Sequence, residues 1–303
     1  AAYRITWNQR PHAGAAAGAA PATLVEAAEV SLRDLAEAHN AAVYGPLQDE
    51  LERVSADYFL YALQTLGWRP AAGEAVTVQD VLACCGIVPR YAALVRRMLR
   101  VLEGAGIVAA ESVDTWRVVI DRPAADPAPR ADALIRTYAP HDAELTVTAR
   151  CGNRLADVLR GAADPLEVLF PGGDTGAQAR IYRDTPIAKS FNGAIRELVR
   201  RHVAEWPASR PLRILEIGAG TGGTTAHVLE ALPDDRVEYT FTDIGRSFVN
   251  RARDTFGQRP FMRFEVLDID REPAEQGFAA GSYDLIIASN VLHATRDLRV
   301  TLD

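Results

Sequence analysis

The sequence predicts an α/β fold in which a mainly helical region precedes a parallel β-sheet. From Pro211 onward, short apolar strand patterns alternate with helical patterns. This alternation is typical of a parallel sheet with helices on both faces. The first of these strands also runs directly into a glycine-rich turn. Before residue 175, apolar side chains recur mostly at helical spacing, so we expect few strands there.

Composition limits the class of protein. The chain has 303 residues, a formal net charge of −7, 48% hydrophobic residues and 24% charged residues, which suits a soluble protein of two domains. No apolar run reaches the ~18 residues that span a bilayer, so we expect no membrane partner. The start lacks a signal-peptide pattern, and we expect a cytoplasmic location. The negative charge argues against nucleic acid. The cysteines and histidines have no metal-site spacing, so we expect no metal.

Three segments are predicted along the chain. The Ala/Gly/Pro-rich residues 1–24 predict a linker after an upstream domain. Residues 25–175 are predicted to form a mainly helical lobe or lid, and residues 176–303 the core that contains the sheet. Within the lobe, two helices followed by the strand Trp116–Ile120 also fit a winged helix, which binds DNA in some proteins and only packs in others. The negative charge of the chain favours packing.

The ends of the predicted strands are the places where functional side chains are expected. In an open α/β sheet, ligands bind beyond the carboxyl ends of the strands. Periodicity predicts four strands in the core, at 213–217, 237–242, 261–267 and 283–289.

The glycine turn after the first strand predicts a ligand cradle. Gly218, Gly220 and Gly222 have no side chains, so a ligand can lie against the backbone, and N–H groups of the following helix face the same place. The turn also satisfies the dinucleotide pattern G-x-G-x-x-G, which is weak alone, so a dehydrogenase remains an alternative. Glu216, two residues before Gly218, instead favours a ligand with a positive amino group, such as S-adenosylmethionine.

Acidic residues at the next two strand ends support an adenosine-containing ligand. Asp243 follows the second strand and is placed to accept both ribose hydroxyls. Asp268 comes first after the third strand and can accept a hydrogen bond from the adenine amino group. Each residue alone could be a helix cap or a solvated charge. A dehydrogenase needs the first carboxylate but not the second, which again favours S-adenosylmethionine.

The fourth strand ends in Ser289-Asn-Val-Leu-His293. His293 is the one histidine predicted at the rim of this site, and its imidazole can take a proton at physiological pH. The alternative is a histidine that forms a structural hydrogen bond in a loop.

Five motifs occur together after residue 178. They are Ile181-Tyr-Arg-Asp-Thr-Pro186, Leu215-Glu-Ile-Gly-Ala-Gly-Thr-Gly-Gly-Thr-Thr225, Tyr239-Thr-Phe-Thr-Asp-Ile244, Leu267-Asp-Ile269 with Gln276-Gly-Phe278, and Ser289-Asn-Val-Leu-His-Ala-Thr295. In these motifs the chain resembles the C-methyltransferase domains of type I polyketide synthases. The helical region is similar to the N-terminal lobe of that family, more loosely than the part after residue 178.

The resemblance implies a class I S-adenosylmethionine-dependent methyltransferase with a Rossmann-like parallel sheet. It implies methylation of the α-carbon of a β-ketoacyl chain that acyl carrier protein holds on its phosphopantetheine. His293 matches the catalytic histidine of the family. The resemblance extends the cofactor-binding set to Glu216, Gly218, Gly220, Gly222, Asp243, Ile244, Asp268, Ile269 and Asn290, and it places Tyr182 and Asn290 in the substrate pocket. Neighbouring synthase domains are the other expected partners.

The family pairs its histidine with a glutamate, which we expect beyond Asp303. The chain ends just after the fourth predicted strand, so we also expect the sheet to be incomplete at the C-terminus. Two alternatives remain open. The chain could be a non-catalytic, methyltransferase-like module of a synthase, or an enzyme that methylates oxygen or nitrogen of a small molecule.

Overall fold

The structure, a computed structural model, describes residues 21–139 and 141–302. The predicted linker lies outside the described residues, except for its last four positions, which begin the first helix. The chain divides into two compact units. One comprises Asp34–Phe191 with Thr221–Gly223, and the other comprises mainly Asn192–Gly220 and the residues from Thr224 onward.

The first unit is mainly helical. Its helices in chain order are α1 (Pro21–Ala38), α2 (Tyr44–Thr65), α3 (Val78–Cys85), α4 (Ala92–Gly104), α5 (Ala128–Thr137), α6 (Asp142–Asn153), α7 (Leu155–Leu159), α8 (Pro165–Leu169), α9 (Gly176–Ala179) and α10 (Pro186–Glu205). Two of these helices, α1 and α10, also contribute residues to the second unit. Three short strands, β1 (Ala75–Thr77), β2 (Val108–Ala110) and β3 (Thr115–Val118), form an antiparallel sheet in the order β1-β3-β2. No helix in the described part of the chain is long and apolar enough to span a membrane.

Two features of the sequence fix the middle of this unit. At the end of β1, the Thr77 hydroxyl accepts a hydrogen bond from the backbone of Asp80, and the Asp80 carboxylate accepts one from the backbone of Thr77. This capping box starts α3 directly after the strand. Along α4, the fully buried Val95, Met98 and Leu99 repeat at helical spacing and join the core cluster.

The element order in this region is that of a winged helix, as the sequence suggested. α2, β1, α3, α4, β2 and β3 follow one another, and β3 pairs with both other strands. The sequence predicted only the last strand, because β1 and β2 have three residues each and show too little alternation. The stretch Pro165–Gly173 contains the single-turn helix α8, whose first turn the Asp164 side chain caps.

The second unit contains a parallel sheet, as predicted. Its strands are β4 (Leu212–Ile217), β5 (Val237–Asp243), β6 (Met262–Val266) and β7 (Leu285–Ala288), and its further helices are α11 (Gly223–Val228), α12 (Arg246–Phe256) and α13 (Leu298–Leu302). The strand order is β6-β5-β4-β7, and all three pairings are parallel.

This strand order determines where a ligand is expected. The chain moves outward from β4 through β5 to β6 and then returns to β7 on the other side of β4. Such a reversal opens a crevice beyond the carboxyl ends of the central strands. Beneath it, Ile214, Tyr239 and Phe241 are fully buried and pack in one cluster with Val199 and Val203 of α10.

A close contact between α6 and α2 gives a test of the helical unit. A Cβ on Gly152 would lie 2.3 Å from the ring of Tyr58, which is itself buried. We expect Gly152→Ala to lower the free energy of unfolding by about 1–3 kcal/mol, because the ring has no room to move. Urea denaturation measures the loss. Gly45→Ala in α2 is the control, since nothing lies within 4 Å of a Cβ there; equal losses in both variants would contradict this packing account.

Candidate functional site

The loop after β4 adopts a backbone that favours glycine. Gly218, Gly220 and Gly222 have φ angles of 61°, 56° and 76°, in the region that side chains disfavour. Gly218 is also restricted by space, because a Cβ there would lie 2.2 Å from the side chain of Val291. The first glycine of the turn therefore brings the loop after β7 into direct contact with the loop after β4.

Asp243 connects the loops after β4 and β5. Its Oδ2 accepts a hydrogen bond from the backbone N–H of Gly220 at 2.9 Å, and its Oδ1 accepts one from Gly245 at 2.8 Å. The residue is 7% exposed, and each carboxylate oxygen keeps a second lone pair. The carboxylate thus holds both loops and can still accept hydrogen bonds from a ribose, the role that the sequence predicts.

Glu216 lies at the end of β4 and is 1% exposed. The hydroxyls of Thr225 and Tyr239 both donate to its Oε2, at 2.6 and 2.7 Å. Among the described residues, no donor reaches Oε1, which is the oxygen left for the predicted contact with a ligand amino group. The carboxyl therefore has a structural role that the sequence did not indicate: it joins β4 to β5 and to α11.

Burial controls the titration of this carboxyl. Burial raises the pKa of Glu216 to about 7, although the two hydrogen bonds to its carboxylate act in the opposite direction and lower the pKa. The negative charge of Asp243 raises it further. Tyr239 is equally buried, and burial together with the neighbouring carboxyl raises its pKa well above the usual value.

The loop after β6 is closed by a glutamine. Gln276 Oε1 accepts from the backbone of Asp268 at 3.0 Å, and Gln276 Nε2 donates to the Asp268 carbonyl at 2.8 Å. One oxygen of the Asp268 carboxylate accepts from the Asp270 backbone. Asp270 accepts from the backbone of Arg296, and the adenine contact of Asp268 stays a prediction.

Two isoleucines stand next to these carboxylates. Ile244 follows Asp243 and is 66% exposed, which is unusual for so large an apolar side chain. Ile269 follows Asp268 and is partly buried. An exposed apolar face beside a carboxylate that is predicted to bind ribose suits an adenine ring, whose burial it would share.

The loop after β7 carries the remaining predicted residues. Asn290 has a φ of 55°, a conformation that asparagine tolerates better than most residues. His293 lies in the short helical turn Leu292–Ala294 and is exposed. Within the described part of the chain, its imidazole makes no hydrogen bond or ion pair. The structure brings this loop to the glycine turn through Val291, a residue that the sequence did not single out.

Tyr182 belongs to the helical unit. It lies in a π-helical turn, Arg180–Asp184, a form that often marks functional sites, and it is 50% exposed. Gly223 belongs to the same unit, and a Cβ on it would lie 2.6 Å from the Tyr182 carbonyl oxygen. The substrate-pocket role of Tyr182 stays a prediction.

The four loops together form the candidate ligand-binding edge. In the described ranges, no group of three or more histidine, cysteine or acidic residues could hold a metal ion. The glycine turn, Asp243, Asp268 and exposed Ile244 lie at the carboxyl ends of adjacent strands. These residue types suit the amino-acid, ribose and adenine parts of one ligand.

Comparison with known proteins identifies the family. A family model described as a methyltransferase domain matches residues 215–303. The carbon methyltransferase CurJ is 35% identical and has a TM-score of 0.88; the match covers 93% of this chain and 75% of that one. Polyketide synthase ThaG of Burkholderia thailandensis is 38% identical over 300 residues, which are 95% of this chain and 5% of ThaG. The chain belongs to the family of polyketide synthase carbon methyltransferase domains. It therefore spans about 5% of the length of that curated relative.

The methyltransferase domain uses S-adenosylmethionine. The related trans-methyltransferase CalH, 26% identical with a TM-score of 0.56 over 84% of this chain and 67% of its own, was solved with the demethylated cofactor S-adenosylhomocysteine. The residues present fit this ligand, since Glu216 keeps Oε1 for the amino group and Asp243 keeps lone pairs for the ribose. The dehydrogenase alternative is thereby excluded, while the contacts of individual residues stay predictions.

Gly218 provides a test of the cofactor loop. We expect Gly218→Ala to weaken binding of S-adenosylhomocysteine at least about tenfold, because the methyl group strains the backbone and displaces Val291. Isothermal titration calorimetry measures the affinity. Gly281→Ala is the control, since Gly281 has a φ of 71° but no atom within 4 Å of a Cβ. Unchanged affinity in Gly218→Ala would contradict the proposed contact.

Glu216 predicts a pH dependence of stability. The pKa of this carboxyl is higher in the folded state than in the unfolded state. Its contribution to the free energy of unfolding is therefore fully present below about pH 4.5 and is lost as pH rises through about 7. Relative to Glu216→Gln, the parent should lose about 1–3 kcal/mol of unfolding free energy between pH 5 and pH 8. Urea denaturation across this range tests it, with the exposed Glu265→Gln as control. Parallel curves for parent and Glu216→Gln would refute this account.

Proposed function

We propose that the domain methylates the α-carbon of a β-ketoacyl chain held as a thioester on the phosphopantetheine of acyl carrier protein. S-adenosylmethionine supplies an electrophilic methyl group. The α-proton lies between two carbonyls and is acidic for a C–H bond, so a base of near-neutral pKa suffices to remove it. The observation that carries this proposal is the position of His293 in a loop that is fixed against the cofactor loop.

The contacts of that loop support His293 as the base. Val291 packs on Gly218, and the Thr295 hydroxyl donates to the Leu292 carbonyl at 2.8 Å. These contacts hold the turn that contains His293 between them. A base held beside the cofactor needs little reorganisation before proton transfer. The imidazole is exposed, so it is open to a substrate carbon.

The steps follow from this arrangement. His293 takes the α-proton, and the electron pair of the broken C–H bond forms the enolate. The enolate carbon then bonds to the methyl carbon, whose bond to sulfur breaks, so that S-adenosylhomocysteine leaves. The glycine turn, Asp243 and Asp268 keep the cofactor in place, and Asn290 contacts the acyl chain. A substrate contact of Tyr182, in the helical unit, is a separate proposal from the family resemblance. A glutamate partner that orients His293 is proposed from the family resemblance.

The partners follow from the same proposal. Acyl carrier protein delivers the substrate, and neighbouring synthase domains flank the methyltransferase in one polypeptide. The predicted linker, residues 1–24, would follow one such domain. A cytoplasmic location also stays a proposal, supported by the free thiols of Cys84, Cys85 and Cys151, since reducing compartments keep thiols free.

The decisive assay offers S-adenosylmethionine and a β-ketoacyl thioester of acyl carrier protein to the domain. Mass spectrometry detects methyl transfer, and NMR locates the methyl group on carbon or oxygen. We expect α-methylation by the parent and a decrease of about 10²–10⁴-fold in kcat for His293→Ala, since a positioned base contributes that much. Binding of S-adenosylhomocysteine should stay unchanged in the variant.

Arg296→Ala is the matched control. Arg296 lies three residues beyond His293, and its side chain is 90% exposed, so its loss tests for general disturbance of the loop. An equal decrease in both variants would argue against His293 as the base. A methyl group on oxygen would establish the O-methyltransferase alternative, and cofactor binding without transfer to any thioester would favour the non-catalytic module.

A further inference from the structure

The helical unit contains a cavity that the methyltransferase chemistry does not use. Its volume is about 440 Å³, within the range of small-molecule sites. The C-terminal end of α1, the turn after it, the segment between α5 and α6, and the start of α10 line this cavity. None of the residues assigned above to the cofactor or the substrate is among its lining residues.

Apart from the Tyr138 phenol, the ionisable groups in the lining are basic. They are Lys189 and the imidazoles of His39 and His141, and no lining residue carries a carboxylate. This composition is unexpected in a chain with a net charge of −7. Lys189 is also the one lysine in the sequence, where arginine supplies every other side-chain cation except histidine. A cluster of this kind attracts anions.

Nearby carboxylates are engaged by other cations. Asp184 interacts electrostatically with Lys189, but Arg183 donates to both its oxygens, at 2.8 and 3.0 Å. Asp142, next to His141 in the chain, pairs with Arg180 at 2.9 Å. Within the described ranges, Lys189 has no ion pair within 4 Å. Its ammonium therefore remains available to a ligand.

His141 supplies a second, independent observation. The residue is 4% exposed, and its Nδ1 is buried without a hydrogen-bond partner. A buried polar nitrogen without a partner is costly and uncommon in folded proteins. Burial also lowers the pKa of this imidazole, so the neutral ring, which carries one N–H, is favoured. Nδ1 has almost no surface open to the cavity, so an acceptor there removes the cost only after the imidazole ring turns.

We propose that this cavity binds the phosphate group of a small organic phosphate. Lys189 pairs with the phosphate as a point charge, a common use of lysine. His141 and Asn40 supply neutral N–H donors, and Thr137 and Tyr138 add hydroxyl groups to the lining. A phosphate has enough acceptor oxygens to engage several of these groups together. The inference stands on the cavity alone and is independent of the proposed methylation reaction.

The test measures binding of phosphates to the purified protein by calorimetry and ³¹P NMR. Phosphopantetheine, adenosine monophosphate and inorganic phosphate are the probes, and pantetheine without its phosphate is the neutral control. We expect phosphopantetheine or adenosine monophosphate to bind, with at least about tenfold weaker binding in Lys189→Met, which keeps the apolar stem but loses the charge. The organic phosphate that binds more tightly shows whether the site prefers a phosphopantetheine or a nucleotide.

Controls separate this site from its alternatives. Arg97→Met removes an exposed cation of α4 outside the cavity and should leave phosphate affinity unchanged. Binding should also persist with saturating S-adenosylhomocysteine. Four results would each overturn the proposal. They are no binding of any phosphate, equal binding of pantetheine, equal weakening by Arg97→Met, and displacement of the phosphate by S-adenosylhomocysteine. Thermal melting confirms that both variants are folded.

Discussion

The buried carboxyl of Glu216 is the constraint on which the cofactor edge depends. It is the second-last residue of β4, and it receives hydroxyl hydrogen bonds from β5 and from α11. The Thr242 hydroxyl also donates to its carbonyl oxygen at 2.7 Å. A carboxyl in the core is costly unless it is paired. The contacts from Tyr239 and Thr242 fix the relative positions of the two central strands, and the contact from Thr225 joins α11 to them. The glycine turn begins two residues later, so its position is fixed by these same contacts.

The loops after β5 and β7 are held to the glycine turn by different kinds of contact. Asp243 uses charge-assisted hydrogen bonds to two backbone N–H groups, which are directional. Val291 makes a close apolar contact, since its side chain fills the space that any residue larger than glycine would need at position 218. The loop after β6 is fixed within itself by Gln276. Polar bonds and a single apolar contact thus converge on one short turn.

Much of this edge could be predicted from the sequence. The four core strands lie within two residues of their predicted bounds at either end, because alternation of strands and helices is a strong pattern. Positive φ angles at the three glycines follow from their chemistry. The partners of Glu216 could not be predicted, since Tyr239 in a strand looks like any core aromatic residue. Val291 was missed for the same reason: packing across loops leaves no periodic pattern.

The helical region was harder to predict. Strands of three residues show no alternation, and β1 and β2 become recognisable only when they pair with β3. The cavity beside α10 left no pattern at all, because its lining comes from segments up to about 150 positions apart in the chain. Such sites arise from packing, and only the structure reveals them.

The scarcity of lysine has a practical consequence. Amine-reactive reagents modify lysine side chains and the N-terminal amine, so this sequence offers them one side chain, the exposed Lys189. A fluorescent or spin label attached there would report from a known position at the wall of the cavity without any engineered cysteine. In the same way, amine-directed cross-linking would provide distance restraints from Lys189 and from no other side chain of this sequence.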